Sequence, residues 1–241
     1  MNRILCLDFD GVIFDSQIEC LITSFLAYHD KKSNDFDKIN ISKSFKKLFF
    51  QYRYFVRPAW QYKVLWDLIY KEEKITLESF QNGCLMDKKE YKDFESRFFN
   101  IRAEIIHHYP DAWFDLNPVY DNVKNNWNKI SQYKNSYIVT NKNFDSVNQL
   151  LHRYRLDFDE KNIYSKEQGM SKILIIKNLA NKLNVKMKDI SFCDDSSYYV
   201  KQMKDLGCQS FLVKWGYEYF NNPDCHKMNL KILESFNQLF R

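Results

Sequence analysis

The sequence of 241 residues predicts an α/β protein in which a doubly wound, mainly parallel sheet is interrupted by an inserted α-helical domain. Three observations carry this. Four short apolar runs, Ile4 to Leu7, Tyr137 to Val139, Ile190 to Cys193 and Phe211 to Val213, have the length of strands and do not alternate polar with apolar. Parallel strands covered on both faces read this way. Helical segments lie between the later runs, and such alternation of strand and helix is the mark of a doubly wound sheet. Between the first run and the second, about a hundred residues show helical periodicity and no buried strand.

Taken in order, Ile4 to Leu7 is the first strand. From about Ser16 to Trp113 the chain is rich in Phe, Tyr and Lys, with Pro58 and Gly83 as its internal breakers and Pro110 near its end. That is too much helix for one crossover. The expected organisation is an α/β core over 1–15 and 113–241, resuming by Leu116-Asn117-Pro118, with a helical insertion over 16–112. A helix from about Asn122 to Tyr133 precedes the strand at Tyr137. The segment Lys172 to Leu183 has apolar residues at 173, 174, 175, 176, 179, 180 and 183, a helical face. Ser171 is placed to cap that helix and Gly169 to turn the chain into it. The strands Ile190 to Cys193 and Phe211 to Val213 follow. The sequence has no internal repeat and no low-complexity linker.

Composition excludes several functions. Glycine is scarce, 5 residues, where average usage of ~7% gives roughly 17. Gly11, Gly83, Gly169, Gly207 and Gly216 are too far apart for G-x-G-x-x-G and none precedes a lysine, so dinucleotide-fingerprint and P-loop readings fall, as does the G-x-S-x-G elbow. Lys+Arg minus Asp+Glu is 36 − 31 = +5, modest for a dedicated nucleic-acid module. Lys43, Lys46 and Lys47 are interspersed with apolar residues, as on the wet face of a helix. No nucleic-acid partner is expected. No stretch approaches the ~18 apolar residues of a membrane span. The start, MNRILCLDFDG, reaches two aspartates before any apolar run long enough for a signal peptide. The 6 cysteines show no C-x-x-C pair, and several lie in apolar runs. That suits buried free thiols in a reducing compartment. A cytoplasmic protein is expected. Cys225-His226 is too small a cluster for zinc, and H-E-x-x-H is absent.

Chemistry concentrates at predicted strand ends and helix starts. Asp8-Phe9-Asp10-Gly11-Val12 puts two carboxylates at i and i+2 just past the first strand, where α/β sheets place ligands. A solvated turn holding two acids is the plainer alternative. Thr140 ends the second strand and is followed by Asn141-Lys142; a hydroxyl there also simply satisfies a turn. Lys172 stands in the first turn of its helix, where the macrodipole disfavours a cation unless an anion is near; a solvent-facing lysine is the alternative. Phe192-Cys193-Asp194-Asp195-Ser196 closes the next strand with adjacent acids, which repel unless a cation such as Mg²⁺ sits between them.

In this order, the acid pair, hydroxyl, lysine and acid pair resemble the haloacid dehalogenase superfamily of phosphohydrolases. The four motifs would be Asp8-Phe9-Asp10-Gly11-Val12, Thr140, Lys172 and Asp194-Asp195. The intervals from Lys172 to Asp195 (23 positions) and from Asp195 to Gly207 (12 positions) support the register. Val139-Thr140-Asn141-Lys142 and Lys214-Trp215-Gly216-Tyr217 look like the phosphoglycolate-phosphatase-like branch, whose cap domain is inserted after the first motif. The resemblance covers essentially the whole chain and implies a Rossmann-like core with a helical cap. Two positions depart from the pattern. Tyr199 stands where many relatives carry a further acid, and Asp194 where glycine is common. Lys166 competes with Lys172, which is preferred for its spacing and its place at a helix start.

The resemblance implies a Mg²⁺-dependent phosphatase acting on a small phosphorylated molecule. Asp8 would attack phosphorus and form a phosphoaspartate. Mg²⁺ would be held by Asp8, the backbone carbonyl of Asp10 and Asp195, with Asp194 direct or through water. Asp10 would protonate the leaving oxygen and then deprotonate water. Thr140, Asn141 and Lys172 would bind the phosphoryl group. An acid two residues after the nucleophile suits phosphoryl transfer and disfavours halide expulsion, which needs no leaving-group proton. A sugar phosphomutase uses the same residues, and a non-catalytic phosphoryl-binding module shares the fold. A receiver-like switch has the wrong order of lysine and acids and no role for the insertion. The substrate's identity and the oligomeric state are not encoded in any motif.

Within the insertion, Tyr52-Arg53-Tyr54-Phe55-Val56-Arg57-Pro58 puts two guanidiniums four apart, on one face if helical, just before a helix-breaking proline. Contact of Arg53 or Arg57 with an anionic or hydroxyl-rich leaving group is one expectation. The other is surface arginines paired with acids such as Asp67 or Glu72.

Overall fold

The apolar run Ile4–Leu7 has no polar face to offer solvent, and it forms strand β1, buried at every position. In this computed structural model, which describes residues 4–71, 74–86, 88–133 and 135–240, β1 lies in the interior of a parallel sheet. The other strands are β2 (Ser136–Val139), β3 (Ile163–Tyr164), β4 (Ile190–Asp194), β5 (Gln209–Val213) and β6 (Lys231–Leu233). Their order is β3-β2-β1-β4-β5-β6, and every neighbouring pair is parallel. From β1 the chain builds outward through β2 to β3, then crosses back to β4 on the other side. The order therefore reverses at β1, and the crevice beyond its carboxyl end is where such sheets bind ligands.

The chain divides into two compact units, Met1–Asp15 with Pro118–Arg241, and Ser16–Asn117. The second unit has helices and no strand among its described residues, with α1 (Gln17–Tyr28), α2 (Lys43–Tyr52), α3 (Gln61–Tyr70), α4 (Leu77–Cys84), α5 (Lys88–His108) and α6 (Pro110–Asp115). Its interior is aromatic and holds one buried ion pair. The Arg102 guanidinium donates to both oxygens of Glu19 at 2.8 Å, and the Trp66 indole donates to Ser24 at 2.9 Å. The α/β unit resumes at Pro118, within the stretch Leu116-Asn117-Pro118 and a few residues past position 113. Helix α6, opened by Pro110 at its first position, carries the helical unit onward, and Asn117 closes it by donating to the Trp113 carbonyl at 2.8 Å.

The α/β unit adds α7 (Asp121–Lys124), α8 (Trp127–Ser131), α9 (Phe144–Arg153), α10 (Lys172–Lys182) and α11 (Ser197–Asp205). On one side of the sheet Ile4, Cys6, Val139 and Phe192 pack with Ile176 and Leu179 of α10 and Met203 of α11. Helix α10 starts as its cap predicts: Ser171 Oγ accepts from the Leu174 amide at 3.3 Å, after Gly169 in the left-handed conformation. Two expectations are corrected. The single helix over 122–133 is two short ones, because Asn126 Nδ2 donates to the Asn122 carbonyl at 2.8 Å and competes with the backbone. Strands β3 and β6, of 2 and 3 residues, leave too short an apolar run to register. All six cysteines are free thiols, and no described helix is long and apolar enough to cross a membrane.

Candidate active site

Strand β1 delivers Asp8 to the crevice. The Asp8 amide still bonds to the Cys193 carbonyl of β4 at 2.9 Å, so the chain diverges from its neighbour only afterwards. The amides of Ile13 and Phe14 then fold back onto the Phe9 carbonyl at 2.8 and 3.1 Å, a tight loop that Gly11 allows with φ of +81°. Strand β4 ends in Asp194, with Asp195 directly after it, and both stand beside Asp8. Candidate metal-ligand oxygens of Asp8, Asp194 and Asp195 all lie within 4.8 Å of one another.

One cation already sits among them. Lys172, the first residue of α10 and 2% exposed, donates to Asp8 Oδ2 at 2.8 Å and to Asp194 Oδ2 at 2.7 Å. The other oxygen of Asp194 accepts from the Ser196 amide at 2.9 Å, and Asp195 Oδ2 accepts from the Tyr217 amide at 3.3 Å. Both oxygens of Asp194 are thus engaged by protein donors. Asp8 Oδ1 is different: it is buried and has no hydrogen-bond partner among the described residues. An orphaned carboxylate oxygen inside a protein is costly unless something cationic meets it.

The electrostatics point the same way. Three carboxylates against one ammonium give −3 + 1 = −2 for the cluster when all are ionised. Burial pushes the Asp8 carboxyl up; Lys172 opposes the rise and Asp194 adds to it. Burial alone would favour a neutral Lys172, but Asp194 and Asp8 outweigh it and hold the ammonium above its ordinary value. An all-oxygen donor set of carboxylates with a deficit of two charges fits a hard divalent cation such as Mg²⁺. The glycines keep the space tight. A Cβ on Gly11 would stand 2.5 Å from Asp195 Oδ2, and one on Gly216 would collide with the Asp195 side chain.

The end of β2 supplies the third part. The Thr140 amide bonds to the Tyr164 carbonyl at 2.9 Å, and its buried Oγ1 accepts from the Lys142 amide at 3.1 Å. Lys142, whose side chain is fully buried, reaches Asp10 Oδ1 at 3.0 Å. Asn141 donates its side-chain amide to the Tyr199 hydroxyl at 3.3 Å. The Tyr199 ring lies 4.6 Å from the Lys172 ammonium.

The structure thus brings Asp8, Asp194, Asp195 and Lys172 into one cluster, links Asn141 to it through Tyr199, and holds the Asp10 carboxylate on Lys142 rather than among the other acids. Lys166 is exposed, in a short 3₁₀ turn. Arg53 and Arg57 do not share a helical face, because α2 ends at Tyr52 and Val56 is extended. Arg53 donates to the Val56 carbonyl and Arg57 to that of Phe55, each at 3.2 Å. Asp67 is engaged by Lys63 at 2.7 Å and Tyr28 at 2.8 Å, and Glu72 lies outside the described residues.

Three participants escaped the sequence reading. Lys142 carried a weak signal, a lysine two positions after a strand-end hydroxyl. Tyr199 registered only as a missing acid. Glu218, buried, accepts from the amide and hydroxyl of Ser197 and so caps the start of α11. A partner 21 positions away leaves no local pattern.

No family model and no curated protein matches the sequence. Solved structures do. A predicted phosphoglycolate phosphatase from Haemophilus somnus 129PT is 19% identical with a TM-score of 0.68, over 99% of this chain and 96% of that one. A predicted phosphatase from Clostridium acetobutylicum is 18% identical with a TM-score of 0.65, over 99% and 96%. A haloacid dehalogenase-like hydrolase from Streptococcus pneumoniae is 13% identical with a TM-score of 0.62, over 99% and 96%. At such identities the likeness is one of fold. The chain shares the fold of these structures, a Rossmann-like parallel sheet with a helical insertion.

Proposed function

We propose that the chain is a Mg²⁺-dependent phosphatase that hydrolyses a small-molecule phosphate monoester by way of a phosphoaspartate on Asp8. The observation that carries this is the state of Asp8: one oxygen held by Lys172, the other buried and unpartnered at the switch point of the sheet. Similar structures described as phosphatases support the class of reaction.

In this reading Asp8 attacks phosphorus, the P–O bond to the leaving group breaks, and Asp10 gives its proton to the departing oxygen. Water then attacks the phosphoaspartate, Asp10 takes its proton, and the P–O bond to Asp8 breaks to release inorganic phosphate. Lys142 holds one oxygen of Asp10 and so fixes the direction of the other. Thr140 donates to the phosphoryl group, Asn141 adds its amide, and Lys172 offsets the growing charge. Asp8, Asp195 and the backbone carbonyl of Asp10 would hold Mg²⁺, with Asp194 direct or through water, and the bound ion supplies the charge that lets a carboxylate approach an anionic ester. Asp194 also braces Lys172. The helical insertion serves as the cap that selects the leaving group, with Arg53 and Arg57 as candidate contacts. Free cysteines suit a cytoplasmic setting.

The test is phosphate release with Mg²⁺ from a panel of sugar phosphates, phosphoglycolate and nucleoside monophosphates. Turnover of at least one ester is expected. No release from any of them overturns the proposal.

A further inference from the structure

We infer that Tyr199 is a positioning residue of the phosphoryl site, its ring backing the Lys172 ammonium while its hydroxyl orients the Asn141 amide. The inference rests on the phosphatase reading and goes beyond it. An ammonium has three N–H groups, and Lys172 directs two of its sides at Asp8 and Asp194, at 2.8 and 2.7 Å. A further side meets the Tyr199 ring at 4.6 Å, within the range of a cation–π contact. The hydroxyl of the same side chain accepts from Asn141 Nδ2 at 3.3 Å. A side-chain amide nitrogen carries two N–H groups, so fixing one fixes the direction of the other. Tyr199 sits in the first turn of α11, with Val200 and Met203 buried beneath that helix, which gives it a rigid base.

Charge explains why an aromatic ring suits this place. When all are ionised, the three clustered carboxylates and Lys172 already sum to −2. A fourth carboxylate at 199 would bring the sum to −3 and repel an anionic ester. The ring attracts the ammonium through its quadrupole without adding a charge, so Lys172 is held and the site stays open to a phosphoryl group. A ring merely filling space would account for the half-burial of Tyr199 against the core but not for the paired contacts to two candidate phosphoryl-binding residues.

The experiment compares wild type, Tyr199→Phe and Tyr199→Leu, each with Mg²⁺, by calorimetric titration with inorganic phosphate and by kinetics on the best ester. Tyr199→Phe removes the hydroxyl that accepts from Asn141 and keeps the ring, and a rise of about 3- to 10-fold in Kd for phosphate and in KM is expected, with a smaller fall in kcat. Tyr199→Leu also loses the ring, and a further fall of about 3- to 30-fold in kcat is expected. Variants that melt lower yet bind phosphate and turn over as wild type does overturn the inference and leave the phosphatase reading standing. Equal behaviour of the Phe and Leu variants overturns the role of the ring. A wild type that binds phosphate but releases none from any ester, with binding weakened in Tyr199→Phe, overturns the phosphatase reading and keeps the inference.

Discussion

The Lys142 ammonium lies 3.0 Å from Asp10 Oδ1, an ion pair between residues 132 positions apart, and the lysine side chain is wholly buried. A buried cation is costly unless paired, so Lys142 is committed to this carboxylate. The pair ties the loop after β1 to the loop after β2. It sets the orientation of the one acid that the proposed mechanism uses twice.

Lys142→Met is therefore expected to lower kcat by about 10- to 100-fold, the worth of a charge-assisted hydrogen bond. In an Asp10→Asn background the same change should cost little more, because the residue acts through Asp10. Steady-state kinetics on the four proteins of the cycle check this. Equal losses in both backgrounds would show that Lys142 acts on something else.

Asp8→Asn should keep the fold, since Lys172 retains Asp194, and abolish turnover. Asp10→Asn should slow turnover by about 10²- to 10⁴-fold, the usual contribution of a placed acid and base. Phosphate release and a melting curve for each variant decide the matter. Near-wild-type turnover by Asp8→Asn would remove Asp8 as nucleophile.

Chelation should stop phosphate release and added Mg²⁺ should restore it. Because the cluster carries a deficit of two charges, Mg²⁺ should also raise Tm without any substrate. Saturation at about 100 times Kd is worth about 2.7 kcal/mol. In Asp195→Asn that rise should shrink. A Tm that ignores Mg²⁺ in the wild type would count against the site.

Lys172→Met leaves Asp8 and Asp194 buried without their cation, and a loss of about 3–5 kcal/mol is expected along with loss of turnover. Lys166 is exposed, and Lys166→Met should stay within about 0.5 kcal/mol of wild type. Denaturant melts of both variants give the comparison, and a mild Lys172→Met would overturn the picture of a buried charge cluster.

Arg53→Ala and Arg57→Ala separate leaving-group recognition from local structure. Each side chain donates to a nearby backbone carbonyl. Recognition requires kcat/KM for the best ester to fall while hydrolysis of a simple aryl phosphate barely changes. An equal fall on both substrates would mean that the arginines only hold the turn after α2.

The sequence by itself determined the α/β class and the long helical insertion, and it singled out Asp8, Asp10, Thr140, Lys172, Asp194 and Asp195 as candidates at strand ends and helix starts. The physical reason is that each of these signals is local. Unbroken apolar runs mark strands buried on both faces, Ser171 marks a helix start, and polar residues that end such runs fall at one edge of the sheet. Tertiary structure decided what no local pattern contains. Which cation meets which acid depends on strand order, and β1 between β2 and β4 is what brings Lys172 to Asp8 and Asp194, and Lys142 to Asp10. Tyr199 became legible only once the first turn of α11 stood beside both Asn141 and Lys172. The edge strands β3 and β6 are too short to carry a period, and the break between α7 and α8 depends on a side chain of Asn126 that outcompetes the helix backbone. Burial and long-range charge pairing, rather than periodicity, made those choices.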